Sequence, residues 1–197
     1  MKKLSIKEIT TGAILIAIAF VLGVTGLGFI YLPIPVLAGT IFHIPVIIAG
    51  ILLGPEMGFI TGLVFGLFAF QQFGGGGFPW FVLIPGRPLI GLAAYYSFVG
   101  MKNLLQRFKI INPITVRSIS SCIAGILGSL TNSVATLGLG IIFRVLGGTY
   151  LENFQKLVIP AIPAIIAELI LAGIIVPAVV IPLLPVIKRE MYYKKEK

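Results

Sequence analysis

The chain reads as long uncharged runs separated by short charged or proline- and glycine-rich breaks. Between Glu8 and Glu56 lie 47 residues without a formal charge, between Glu56 and Arg87 thirty, and between Arg117 and Arg144 twenty-six. From Lys156 to Lys188 only Glu168 interrupts. Crossing about 30 Å of hydrocarbon takes about 20 apolar residues in a helix. The first run therefore holds two spans and each of the others one. The pattern predicts six transmembrane helices over roughly 9–30, 36–53, 57–73, 80–100, 116–144 and 158–187. Leu32-Pro33-Ile34-Pro35 and Gly54-Pro55 supply breaks, since proline cannot donate a backbone hydrogen bond. Asn112-Pro113 opens the fifth span. The runs lack the two-residue alternation of a membrane barrel wall, and the first is too long for the apolar core of a cleavable leader.

Composition agrees. Hydrophobic residues make up 58% of 197 and charged residues 11%, with no Asp at all. Soluble domains carry about 25% charged residues, so this chain cannot cover a water-facing surface. The expected fold class is an all-α integral membrane protein, a single six-helix domain over residues 1–197.

The net charge of +9 would suggest nucleic acid in a soluble protein, but its placement is topological. Six spans put both termini, the 54–56 turn and the 101–115 loop on one side, with twelve of the fifteen basic residues. Arg87, Arg144 and Lys156 fall toward the other. Basic residues favour the cytoplasm, so both termini are expected there, beside anionic lipid and without a nucleic-acid partner.

The chemistry is sparse. No phosphate-binding loop of the Gly-x-x-x-x-Gly-Lys-Ser/Thr type occurs, so ATP hydrolysis is not expected from this chain. One His and one Cys make neither a metal site nor a nucleophile–base pair; no cofactor, metal or enzymatic activity is expected. Charged residues inside a span mark function or a structural pair, which singles out Arg87 and Glu168, with Asn132 at a similar depth. They line a ligand cavity, or Arg87 pairs with Glu168 while Asn132 bonds a neighbouring helix. Gln72, the run Gly74 to Gly77 and Trp80 read as a lid over a ligand or as a linker with an interfacial aromatic. Tyr31 invites the same two readings, and His43 is a ligand contact or a helix-packing group. Ala13-x-x-x-Ala17 in the first span lets another helix approach closely.

His43-Ile44-Pro45-Val46-Ile47-Ile48 leading to Leu52-Leu53-Gly54-Pro55, the stretch from Ile84-Pro85 to Gly91, Leu130-Thr131-Asn132-Ser133 and Ile166-Ala167-Glu168 together carry a resemblance. In that order along six spans, the chain resembles the substrate-binding (S) components of energy-coupling factor (ECF) vitamin transporters, over essentially its whole length. The resemblance implies a bacterial plasma-membrane subunit that binds a vitamin or precursor from outside. A transmembrane coupling (T) protein and two ATPase subunits would supply the energy. It implies a ligand site at Arg87, Asn132, Glu168, Trp80, Gln72, Tyr31 and His43, and coupling-protein docking at Ala13 and Ala17. The family pattern places Arg directly after Pro in span four, whereas Gly86 intervenes here. The local segments look most like the pantothenate, hydroxymethylpyrimidine, riboflavin and folate branch, with pantothenate favoured because a carboxylate suits Arg87. Two other classes stay open: a self-sufficient proton-coupled carrier with Glu168 as relay, and a membrane enzyme or assembly factor.

Overall fold

An apolar segment in hydrocarbon must satisfy its backbone polar groups internally, and the long runs resolve accordingly into helices. The computed structural model describes residues 6–25, 27–30, 39–73, 79–109 and 112–187. In chain order it contains α1 (Ile6–Thr25), β1 (Phe29–Ile30), β2 (Gly39–Thr40), α2 (Ile44–Leu53) and α3 (Pro55–Phe73). These are followed by α4 (Trp80–Leu83), α5 (Gly86–Arg107), α6 (Pro113–Ile142) and α7 (Tyr150–Ile187). Four stretches are long and apolar enough to cross a membrane: α1, α4 with α5, α6, and α7; α2 and α3 are shorter apolar helices.

Two features correct the sequence reading. Among the described residues the fold is helical except for one antiparallel pair, Phe29 opposite Thr40 and Ile30 opposite Gly39. Within the expected continuous span over 36–53, the described part from Gly39 on is instead β2, a turn and the ten-residue α2. The reason is local. The chain leaving α1 doubles back, and pairing across β1 and β2 satisfies backbone groups that a helix would otherwise satisfy. Pro45 then sits in the first turn of α2, where the missing N–H costs nothing.

Other boundaries shift for identifiable reasons. α6 begins at Pro113 because Asn112 caps it, its side-chain oxygen accepting from the N–H groups of Ile114 and Thr115 at 3.0 and 3.4 Å. α7 starts eight residues before the expected 158. Its first turn is polar, and Thr149 Oγ1 accepts from Glu152 N at 3.2 Å there. Five prolines lie inside α7, and the helix continues through them. Gly54, at φ +104°, makes the sharp turn between α2 and α3.

Every residue of α2 is buried, and α1, α3, α5, α6 and α7 all pack against it. Around this central helix the backbones approach closely. Gly58, Gly62 and Gly66 form a stripe on α3 at four-residue spacing. A Cβ on Gly62 would lie 2.7 Å from Pro88 Cα, and one on Gly66 3.1 Å from Ile84 Cα. Small residues are what permit such contact between membrane helices. The stripe therefore presses the start of α5 onto α3 in antiparallel register and fixes where Arg87 leaves the backbone.

Candidate functional site

Arg87 lies in the first turn of α5, after the break that ends α4 at Leu83. Its position is set on one side by the glycine stripe, since a Cβ on Gly66 would meet Arg87 Cγ at 3.3 Å. On the other side Gly86 faces α6, where a Cβ would come within 2.6 Å of Ala135 Cβ. The side chain is thereby delivered to the polar face of α6. Nη1 donates to Asn132 Oδ1 and to Thr136 Oγ1, the latter at 2.7 Å. The guanidinium carbon lies 5.0 Å from the centre of the Phe65 ring, within cation–π range.

These partners hold the charge without a carboxylate in direct contact. A charged side chain inside a span is costly unless it faces partners. A hydrogen bond to a charged group contributes about 1.5–3 kcal/mol, so two such bonds and an aromatic face offset that cost. Of the two readings of these charges, a direct Arg87–Glu168 pair does not form: the guanidinium bonds Asn132 and Thr136 instead.

Glu168 is engaged elsewhere. Its Oε1 accepts from Thr40 N at 2.6 Å and from Thr40 Oγ1 at 3.2 Å, and Oε2 accepts from Ser133 Oγ at 3.5 Å. Ser133 and Asn132 are adjacent on α6, so a single helical turn serves both charges. Arg87, Asn132, Ser133 and Glu168 are each no more than 7% exposed. The layer combines a cation and an anion held separately, each by neutral groups.

The layer also has unspent hydrogen-bonding capacity. Arg87 Nε is buried with no partner, and its bonds to described residues both leave from Nη1. Asn132 uses its side-chain oxygen toward Arg87; its NH2 group makes no hydrogen bond to the described residues. Donors therefore remain on two neighbouring side chains, the arrangement an acceptor-only group such as a carboxylate would satisfy.

The other candidates are spread out. His43 precedes α2 and is fully buried, and neither ring nitrogen has a partner among the described residues. Trp80 is 58% exposed at the start of α4, edge-on to Phe81, which in turn packs on Phe143 at 4.6 Å. Gln72 belongs to the last turn of α3; its side chain, like all of Tyr31, lies outside the described residues. Ala13 and Ala17 are exposed along α1, while Gly12, Leu15 and Ala19 form its buried face.

The sequence reading missed Thr40, Phe65, Ser133 and Thr136. For α6 a signal existed: Ser129, Asn132, Ser133 and Thr136 recur at the 3.6-residue period and form one polar stripe along the helix. Thr40 and Phe65 carry no such mark, since each acquires its role only when distant segments meet.

Among curated proteins, none matches the chain. A family model described as the substrate-specific component of an ECF transporter matches residues 7–180. With membrane-spanning helices around a buried polar layer and that match over most of its length, the chain belongs to the substrate-specific components of ECF transporters. These are transport subunits that bind a vitamin-type small molecule and work with transmembrane coupling and ATPase partners.

Proposed function

We propose that this protein is the high-affinity binding subunit for a small anionic vitamin or precursor, with pantothenate the favoured ligand. The observation that carries the reading is the unspent donor set on Arg87 and Asn132, buried together with no carboxylate paired to the guanidinium. A ligand carboxylate on Arg87 Nε and the Asn132 NH2 group would supply the missing acceptors. It would also bring an anion into direct contact with a guanidinium that now hydrogen-bonds only neutral groups. Glu168 stands in the same layer, with His43 at the head of α2. Tyr31, Gln72 and Trp80 belong to the segments that would close over the ligand.

In this reading the chain is one domain with six spans and cytoplasmic termini in a bacterial plasma membrane, α2 and α3 counting as the short spans. The ligand enters from outside, where Arg87, Arg144 and Lys156 supply the positive charge. Ala13 and Ala17, exposed on α1, form the face that meets the coupling protein. Two ATPase subunits energise uptake.

Reconstitution tests the division of labour. The purified chain should bind radiolabelled pantothenate without ATP, yet vesicles should accumulate it only when the coupling and ATPase subunits are present with ATP. Uptake by the chain alone that a protonophore collapses would instead establish the self-sufficient carrier.

A further inference from the structure

Thr40 is the edge of the strand pair. Ile41 N donates to Gly28 O at 2.9 Å, toward the β1 side. Backbone groups alternate in direction along a strand, so the N–H of Thr40 points away from β1 and lacks a strand partner. In an apolar layer an unpaired N–H of this kind is costly. Glu168 removes the cost: one carboxylate oxygen accepts both the N–H and the hydroxyl of Thr40, while the other accepts from Ser133. The two residues are 128 positions apart. Within the described residues this is the side-chain hydrogen bonding recorded between the α1–α2 connection and α7, whose contact with β2 it accompanies.

We infer that Glu168 is a positioning residue: its carboxylate clasps Thr40 and fastens the β1–β2 strand pair to α7 beside the Arg87–Asn132 site. The clasp needs an acceptor at this point rather than a negative charge. That requirement separates it from a role as ligand counter-charge or proton relay. Its consequence for the ligand rests on the binding function proposed above. With the strands fastened, a ligand on Arg87 and Asn132 is retained; with the clasp removed, the strand pair opens and the ligand leaves sooner.

The test uses the full chain in mild detergent and the variants Glu168→Gln and Glu168→Ala. Gln keeps a carbonyl oxygen for the Thr40 N–H; Ala keeps nothing. Hydrogen–deuterium exchange of peptides covering Gly39–Ile41 should accelerate at least tenfold in Glu168→Ala and stay within about threefold of wild type in Glu168→Gln. Pantothenate dissociation should follow the same order, faster in Glu168→Ala and restored in Glu168→Gln. Thr40→Val removes the hydroxyl from the other side. It should give a smaller acceleration of exchange at Ile41, and it decides the matter if Glu168→Ala does not fold. Unchanged exchange in Glu168→Ala, or in Thr40→Val where that variant decides, overturns the clasp. So does Glu168→Gln behaving as Glu168→Ala. Exchange that follows the predicted order in a protein that binds no pantothenate upholds the clasp and overturns only the ligand assignment.

Discussion

Asn132 accepts a hydrogen bond from Arg87 through its side-chain oxygen, and this one contact orients both groups. The Asn amide is fixed with its NH2 turned away from the cation, and the guanidinium is fixed with Nε and Nη2 left over. Thr136, one turn further along α6, holds the same Nη1 at 2.7 Å. The site is thus preset by neutral acceptors on α6, with donors left over on both side chains. A binding subunit benefits from this arrangement because less ordering is required when the ligand arrives.

Replacing Arg87 by Lys preserves the charge and loses the planar fork. A single ammonium group cannot reproduce the Asn132 and Thr136 contacts while presenting a further donor to a carboxylate. Pantothenate affinity measured by isothermal titration should fall about tenfold or more in Arg87→Lys and further in Arg87→Ala. The scale is the 2–5 kcal/mol typical of truncating a buried charge pair. Equal affinity in the folded Lys variant would contradict a ligand contact at Arg87 Nε.

The glycine stripe makes a prediction about packing. A methyl group on Gly62 would come within 2.7 Å of Pro88 Cα and would press on the Arg87 carbonyl. Gly62→Ala should therefore destabilise by about 1–3 kcal/mol through overpacking and weaken ligand binding by displacing the start of α5. Gly100→Ala, on α5 where a Cβ meets nothing within 4 Å, is the control. It should be neutral or stabilising by up to about 1 kcal/mol, since Ala is the better helix former. Thermal unfolding in detergent with paired affinity measurements reads both.

These two predictions also show what was legible in advance. Charges inside uncharged runs are expensive in lipid, so Arg87 and Glu168 announced themselves, and Asn132 followed as the polar residue at matching depth. The membrane class and the Gly54 turn were equally plain. The partnership between the charges was not, because opposite signs in one span layer suggest a salt bridge. Which neutral groups intercept them depends on helix register, and the glycine contacts set that register. The Gly58–Gly62–Gly66 spacing was present in the sequence, but glycines are so common in this chain that the stripe is marked only by what lies against it. The strand pair escaped because two residues of pairing leave no periodicity to read.

Ala13 and Ala17 face outward from α1 while Gly12, Leu15 and Ala19 pack inward. Bulk at the exposed positions should leave the fold and ligand affinity intact and block close approach of a partner helix. The double variant Ala13→Trp with Ala17→Trp should bind pantothenate within about twofold of wild type and fail to co-purify with the coupling protein. Retained co-purification would place the docking face elsewhere.

Asn153 tests the opposite kind of site, one that holds only structure. Its side chain accepts from Leu146 N at 3.1 Å and donates to Gly147 O and Thr149 O at 2.6 and 3.0 Å, tying down the turn before α7. Asn153→Ala should lower stability by about 0.5–1.5 kcal/mol, the net contribution of an ordinary hydrogen bond, since the partners are on exposed residues. The decrease should appear in thermal unfolding, with faster hydrogen exchange confined to that turn.

The central claim is that the chain by itself retains a small anionic molecule through Arg87. Native mass spectrometry of the protein purified in mild detergent measures this directly, comparing wild type with Arg87→Ala. The account predicts a bound small molecule bearing a carboxylate on the wild-type protein, absent from the folded variant. An equally occupied variant, or a bound molecule with no anionic group, would contradict it.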